Sequence, residues 1–263
     1  MHSQAGVWKV INRRNSAASP PLQLDMDGTN ISNEQEVCEA FGEHFREKVN
    51  RLKKNSNASE IFKKLRDAYP SVPSWDLSHC TEEQVEKYIK NLKNTMSTGP
   101  DQISNRLLKA TSDFILSPLT KIINLSIDSG IFPKIWKETK ISPIHKSGSK
   151  TSITNYRPIA LTSTLGKVLE GMIHKQYHPQ LDALLPSNMF GFRPNRSTQD
   201  AITSVLERVK LLKNDGKKIA LLSVDATAAF DLLSHELVLG SLQILGFGPR
   251  MIAWVKSFFE GCS

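Results

Sequence analysis

The chain has 263 residues, room for one large domain or two smaller ones, and its 39% hydrophobic, 23% charged composition is that of a globular protein rather than a fibrous or disordered one. Its 34 Lys and Arg against 26 Asp and Glu leave a net charge of +8, which favours polyanionic partners, nucleic acid first and anionic membrane second. Three scattered cysteines, Cys38, Cys80 and Cys262, fit neither a disulfide framework nor a paired-cysteine zinc site, and no stretch approaches the roughly 20 apolar residues of a membrane span.

The opening MHSQAGVWKVINRRN has no apolar core of the kind a secretory leader needs, so the reading is an intracellular protein, with nucleus and cytoplasm not separated by the short KK and RR doublets. Residues 1–32 read as a poorly ordered lead-in, with small and Pro-rich SAASPPLQ followed by the turn-forming DMDGTN. Residues 33–132 read as a helical region. Val37, Phe41, Phe45 and Val49 recur every four residues over Asn33 to Arg51. After the polar break KKNSNAS, a short helix is predicted over Ile61 to Tyr69 and a loop over SVPSWDLSHC. Thr81 and Gln84 form a capping-box pair opening the next helix. STGPDQIS then turns, and helices follow over Asn105 to Thr111 and Ser117 to Ser129, the latter ended by Gly130.

From residue 133 the character changes. Lys134, Lys137, Lys140, Lys146, Lys150 and Arg157 face a single acid, Glu138. The pattern predicts a strand over Thr139 to Lys146, a flexible SGSKTS loop and a second extended piece over Tyr156 to Leu161, where Pro158 holds Arg157 extended. A long helix over Ser163 to Leu185 leads to the loop PSNMFGFRPNRSTQD, and a helix over Ala201 to Lys213 is capped by Ser197 or Thr198. Lys218 to Asp225 reads as a fully buried strand, followed by helices over His235 to Ile244 and Arg250 to Phe259.

The chemistry concentrates in SVDATAAFD. A buried strand that ends on Asp225 places a carboxylate where it must be hydrogen-bonded, capping a turn or bound to a metal. Spacing alone leaves cap and metal ligand open, and Asp231 sits at a loop-to-helix entry where Asp is common. His174 and His178 form an i, i+4 pair with no third ligand in the pattern, which reads as a polar helix face.

NYRPIAL, GFRPNRS and SVDATAAFD occur in that order, with STGPD upstream, and EVCEAFGEHF, IWKETKISPIHKSG, MFGFRPNRSTQDA and GFGPRMIAWVKSFF complete the pattern. The sequence so resembles the reverse transcriptase of LINE-type non-LTR retrotransposons from about Gln35 onward. The resemblance implies an α+β fold, a partial right-hand polymerase with a helical N-terminal region, fingers and the first part of the palm over residues 133–263, the thumb being absent. It implies an RNA-directed DNA polymerase adding dNTPs to a DNA primer 3′-hydroxyl on an RNA template, using Mg²⁺ ions held by Asp225 and the Ala226 carbonyl. Phe230 matches the steric gate beneath the sugar, with core packing as its plain alternative. Lys146 and Arg157 match the grip on the triphosphate, and Arg193 and Arg196 are template candidates beside the alternative that their loop only packs. Lys134, Lys137 and Lys150 read as a solvated basic face. Asp231 matches no metal ligand.

The family pattern also carries a Gln-Gly segment and a Tyr-x-Asp-Asp hairpin that supplies the second metal-binding carboxylate. Neither occurs in these 263 residues, and Asp-Asp occurs nowhere in them. The expectation is a polymerase fragment that is inactive by itself and binds Mg²⁺ weakly. The alternative is a non-catalytic nucleic-acid-binding remnant of a retrotransposon protein.

Overall fold

The structure, a computed structural model, describes residues 23–26, 29–52, 58–226, 229 and 233–261. It divides into two compact units that interleave along the chain, residues 1–55 with 140–161 and residues 56–139 with 162–263. These units cross the sequence-order partition at residues 32 and 132.

In the first unit, β1 (Leu24–Met26) and β2 (Thr29–Ile31) pair antiparallel with Leu24 opposite Ile31. This short hairpin lies within the predicted lead-in, and it is tied down because Leu24 is fully buried. Helix α1 (Glu34–Leu52) starts on Asn33, whose side-chain oxygen accepts from the Gln35 and Glu36 amides, with Glu34 and Glu36 at the positive end of its dipole. Its four-residue stripe packs Val37, Phe41 and Phe45 with Leu24, Ile153 and Tyr156. The Phe41 and Tyr156 rings meet edge to face at 5.0 Å.

Strands β3 (Thr139–His145) and β4 (Tyr156–Thr162) form a separate two-stranded ribbon. Each carries a proline, Pro143 or Pro158, which a two-stranded ribbon tolerates because every strand in it is an edge. The connecting loop, which the pattern reads as flexible, carries internal hydrogen bonds. The Lys146 amide donates to the Asn155 carbonyl (2.8 Å), the Asn155 side chain to the Ser149 carbonyl (2.9 Å) and the Tyr156 hydroxyl to the Lys150 carbonyl (2.8 Å).

The second unit is helical: α2 (Ala58–Ala68), α3 (Glu82–Asn91), α4 (Asn105–Ala110), α5 (Ser112–Ser129), α6 (Thr164–Leu184), α7 (Thr198–Asn214), α8 (His235–Ile244) and α9 (Pro249–Phe259). Both halves of the Thr81–Gln84 capping box are present, Ser163 and Ser197 cap α6 and α7, and Gly130 ends α5 at φ +64°. Helix α5 starts five residues before the predicted Ser117, with Pro118 inside it. Proline removes one internal hydrogen bond, which leaves the Phe114 carbonyl without its helical partner; Phe114 is 83% exposed, so water can serve that carbonyl. The core of this unit is made by α3, α5, α6 and α9, with Val85, Ile89, Ile123, Ile127, Val168 and Leu169 fully buried and Trp254 packed on Phe132.

Residues 73–77 lock α9 in place. Gly248 offers no capping side chain, so Asp76 supplies the cap from across the sequence, accepting from the Arg250 amide at 3.2 Å and the Met251 amide at 2.9 Å. Trp75 and Phe247 form a parallel bridge beside it, with their rings edge to face at 5.5 Å. At the other end of α9, the Lys137 ammonium donates to the Ser257 and Glu260 carbonyls. Lys137 is therefore a helix C-cap rather than part of a solvated basic face.

The predicted buried strand over Lys218 to Asp225 is absent. These residues adopt no regular structure, and Leu221, Leu222 and Val224 are 77%, 85% and 84% exposed. A strand exists only by pairing, and among the described residues none lies beside this one. Helix α7 just before it likewise buries no residue.

Candidate nucleotide and template site

The residues singled out by the sequence divide between the two units. In the first, the ribbon carries Lys146 immediately after β3 and Arg157 as the second residue of β4. The Lys146–Asn155 backbone hydrogen bond draws these two positions to the same end of the ribbon. Strand alternation turns Tyr156 into the core and Arg157 outward, and both Lys146 and Arg157 are exposed. No acid occurs between residues 139 and 162, and among the described residues no carboxylate pairs with either cation. Two uncompensated cations at one end of a short ribbon suit a phosphate chain, with the guanidinium able to engage two oxygens at once.

In the second unit, GFRPNRS divides its two arginines between different tasks. The Arg193 side chain is 8% exposed and forms an ion pair with Asp182 at 2.7 Å, while also donating to the carbonyls of Asp182 (3.2 Å) and Pro186 (2.8 Å). That hydrogen bond from Arg193 holds the Asp182 carboxyl below its ordinary range. Arg193 thus fastens the loop to the end of α6, its donors consumed internally, which is the packing alternative for this residue. Arg196 is exposed and lies over the Phe190 ring at 5.6 Å. Around it Ser187, Asn188, Asp200, Ser204 and Glu207 line an open recess of about 340 Å³.

Asp225 and Ala226 are described and exposed, in the irregular stretch after α7. Phe230 and Asp231 lie outside the described residues. Among the described residues no group of three or more His, Cys, Asp or Glu is placed to hold a metal ion. Asp225 alone offers one carboxylate, which does not make a Mg²⁺ site by itself.

Two contributors were not singled out by the sequence. Asp182 is the partner of Arg193, and nothing in its local pattern marks it. Asp101 of STGPD accepts from the Ser163 hydroxyl at 2.6 Å, while the Thr164 hydroxyl donates to the Ile103 carbonyl at 2.5 Å. These bonds hold the STGPD turn against the start of α6. Gly99 is required there, since a Cβ would stand 2.5 Å from the Thr162 carbonyl oxygen.

A profile of the family described as "Reverse transcriptase (RNA-dependent DNA polymerase)" matches residues 144–263, the stretch that holds Lys146, Arg157, Arg196 and Asp225. Residues 144–263 are thus similar to the reverse transcriptase family. Curated relatives extend the likeness over nearly the whole chain. The RNA-directed DNA polymerase from mobile element jockey of Drosophila melanogaster is 28% identical over 97% of the chain. The probable RNA-directed DNA polymerase from transposon BS of the same organism is 27% identical over 97%. A Pol polyprotein from the type-1 retrotransposable element R1 of Bradysia coprophila is 29% identical over 78%. The chain spans 28% of the length of each of the first two. No described helix is long and apolar enough to cross a membrane.

Proposed function

We propose that this chain is the fingers and first palm segment of an RNA-directed DNA polymerase of a LINE-type non-LTR retrotransposon. The observation that carries this reading is the exposed, uncompensated Lys146–Arg157 pair inside the stretch that matches the reverse transcriptase family. In it, Lys146 and Arg157 bind the triphosphate of an incoming dNTP. Arg196, with Phe190 beneath it, contacts the RNA template, and Arg193 sets the position of that loop through Asp182. Asp225 and the Ala226 carbonyl contribute oxygen ligands for Mg²⁺, and Phe230 lies against the sugar and excludes a 2′-hydroxyl.

Two-metal phosphoryl transfer needs carboxylates on both sides of a pair of cations roughly 3.5–4 Å apart. These 263 residues hold Asp225 and no Asp-Asp dipeptide, so by themselves they bind substrate without extending a primer. Equilibrium dNTP binding tests the grip: Lys146→Ala and Arg157→Ala should each weaken binding at least tenfold, and variants that bind like the parent would refute it. Primer extension on an RNA template with Mg²⁺ tests the rest, and robust extension by the 263 residues alone would overturn the single-carboxylate account.

The second reading, a non-catalytic nucleic-acid binder, draws on the exposed cations Lys146, Arg157 and Arg196. It requires RNA retention that falls steeply with salt, because phosphate contacts by Lys and Arg release counterions. Salt-insensitive retention would remove it.

A further inference from the structure

Of the histidines, two that the polymerase reading does not use stand out by geometry. His174 and His178 are one turn apart on α6, with ring centres 4.9 Å apart and ring planes tilted by 50°. Zn–N bonds of about 2.0–2.1 Å place the centre of each ligating ring roughly 3.2 Å from an ion, so two imidazoles on adjacent positions of one ion have centres roughly 4.5–5.2 Å apart. The observed separation lies inside that range.

The ring nitrogens are also available. His79 spends a nitrogen on Asp128 at 2.8 Å and His145 on the Gly148 carbonyl at 3.1 Å. Neither His174 nor His178 makes a hydrogen bond with another described residue. The Tyr177 ring sits edge-on to His174 at 5.2 Å and restricts its orientation. Lys175, the cation next in sequence to His174, is drawn off over the Tyr88 ring, 4.7 Å from its centre. Asp182 lies one turn past His178 and is occupied by Arg193, so it is not a third ligand.

The geometry points to a two-histidine site on α6 for a borderline transition-metal dication such as Zn²⁺, Ni²⁺ or Cu²⁺, with water in the remaining positions. It differs from the Mg²⁺ chemistry proposed at Asp225 in ligand type, since Mg²⁺ takes oxygen donors and imidazole nitrogen selects the later metals. With two protein ligands and no third among the described residues, the ion exchanges readily. When bound, it ties two successive turns of the helix that leads from the β ribbon to the Arg193 loop.

Calorimetric titration of the 263-residue chain with Zn²⁺, in excess Mg²⁺ to occupy oxygen sites, tests this. The expected result is one saturable site whose affinity drops at least tenfold in His174→Gln and in His178→Gln, and is unchanged in His79→Gln. Circular dichroism of each variant checks that the helices are intact, and Zn²⁺ should raise the melting temperature of the parent but of neither α6 variant. A parent that takes up no Zn²⁺, an α6 variant that keeps parental affinity, or an equal loss in His79→Gln would each overturn the site.

Discussion

Two stretches of this chain look alike on paper and end up in opposite environments. The segments that make α3, α5, α6 and α9 and the run from α7 through Asp225 are comparably rich in spaced aliphatic residues. The first group buries Val85, Ile89, Ile123, Val168 and Leu169 completely. The second leaves Ile202, Leu206, Leu221, Leu222 and Val224 between 60% and 85% exposed. Hydrophobic spacing records what a segment needs to bury, and burial itself depends on a neighbour arriving. A helix satisfies its own backbone and can persist without one, as α7 does. A strand has no such fallback, and Lys218 to Asp225 remains irregular.

The sharpest test removes side chains from each region in turn. Leu169→Ala should lower the unfolding free energy by about 2–5 kcal/mol, because it empties a fully buried site. Leu222→Ala should change it by less than about 0.5 kcal/mol, read from urea midpoints. Equal losses would mean that both stretches are packed alike.

Adding a methyl group makes the next comparison. Gly99→Ala brings a Cβ to within 2.5 Å of the Thr162 carbonyl oxygen, a backbone atom with little room to move, and should cost about 1–3 kcal/mol. Gly191 in the GFRP loop has nothing within 4 Å of the added carbon, so Gly191→Ala should shift thermal stability only marginally.

A smaller effect is expected from caps. Asp76→Ala deprives α9 of its side-chain N-cap and should cost about 1–2 kcal/mol in chemical denaturation. The smallest concerns pH. Asp182 has a folded-state pKa lowered chiefly by the hydrogen bond from Arg193. Its contribution is thus fully present above the unfolded value, about 3.9, and is lost as pH falls through the lower folded value. The acid limb of the stability profile should flatten slightly in Asp182→Asn, and an unchanged limb would separate the ion pair from stability.

What could be read ahead of the structure was what is local. Thr81 with Gln84, Ser163, Ser197 and Gly130 announce helix ends because cap and capped amide are at most a few residues apart. The exposed Lys146 and Arg157 were found through an ordered motif, and their place at one end of a ribbon follows from strand pairing nearby. The Asp76 cap, the Lys137 clamp on α9 and the Asp182 anchor for Arg193 join residues that no periodicity connects. The segment ending at Asp225 reads as a buried strand by its own pattern, although a strand is a property of two segments.

The Asp76 lock also says something about the order of assembly. The carboxylate that caps α9 lies 175 residues ahead of the Met251 amide it receives, so closing this contact requires a long loop to be drawn in first. During vectorial synthesis the acceptor is made long before its donors. Residues 73–77, with Trp75 beside them, stand ready as a template on which the last described helix is completed. Slowing translation between residues 77 and 249 should therefore leave that docking step late and uncommitted, a window in which the apolar face of α9 stays open to other chains.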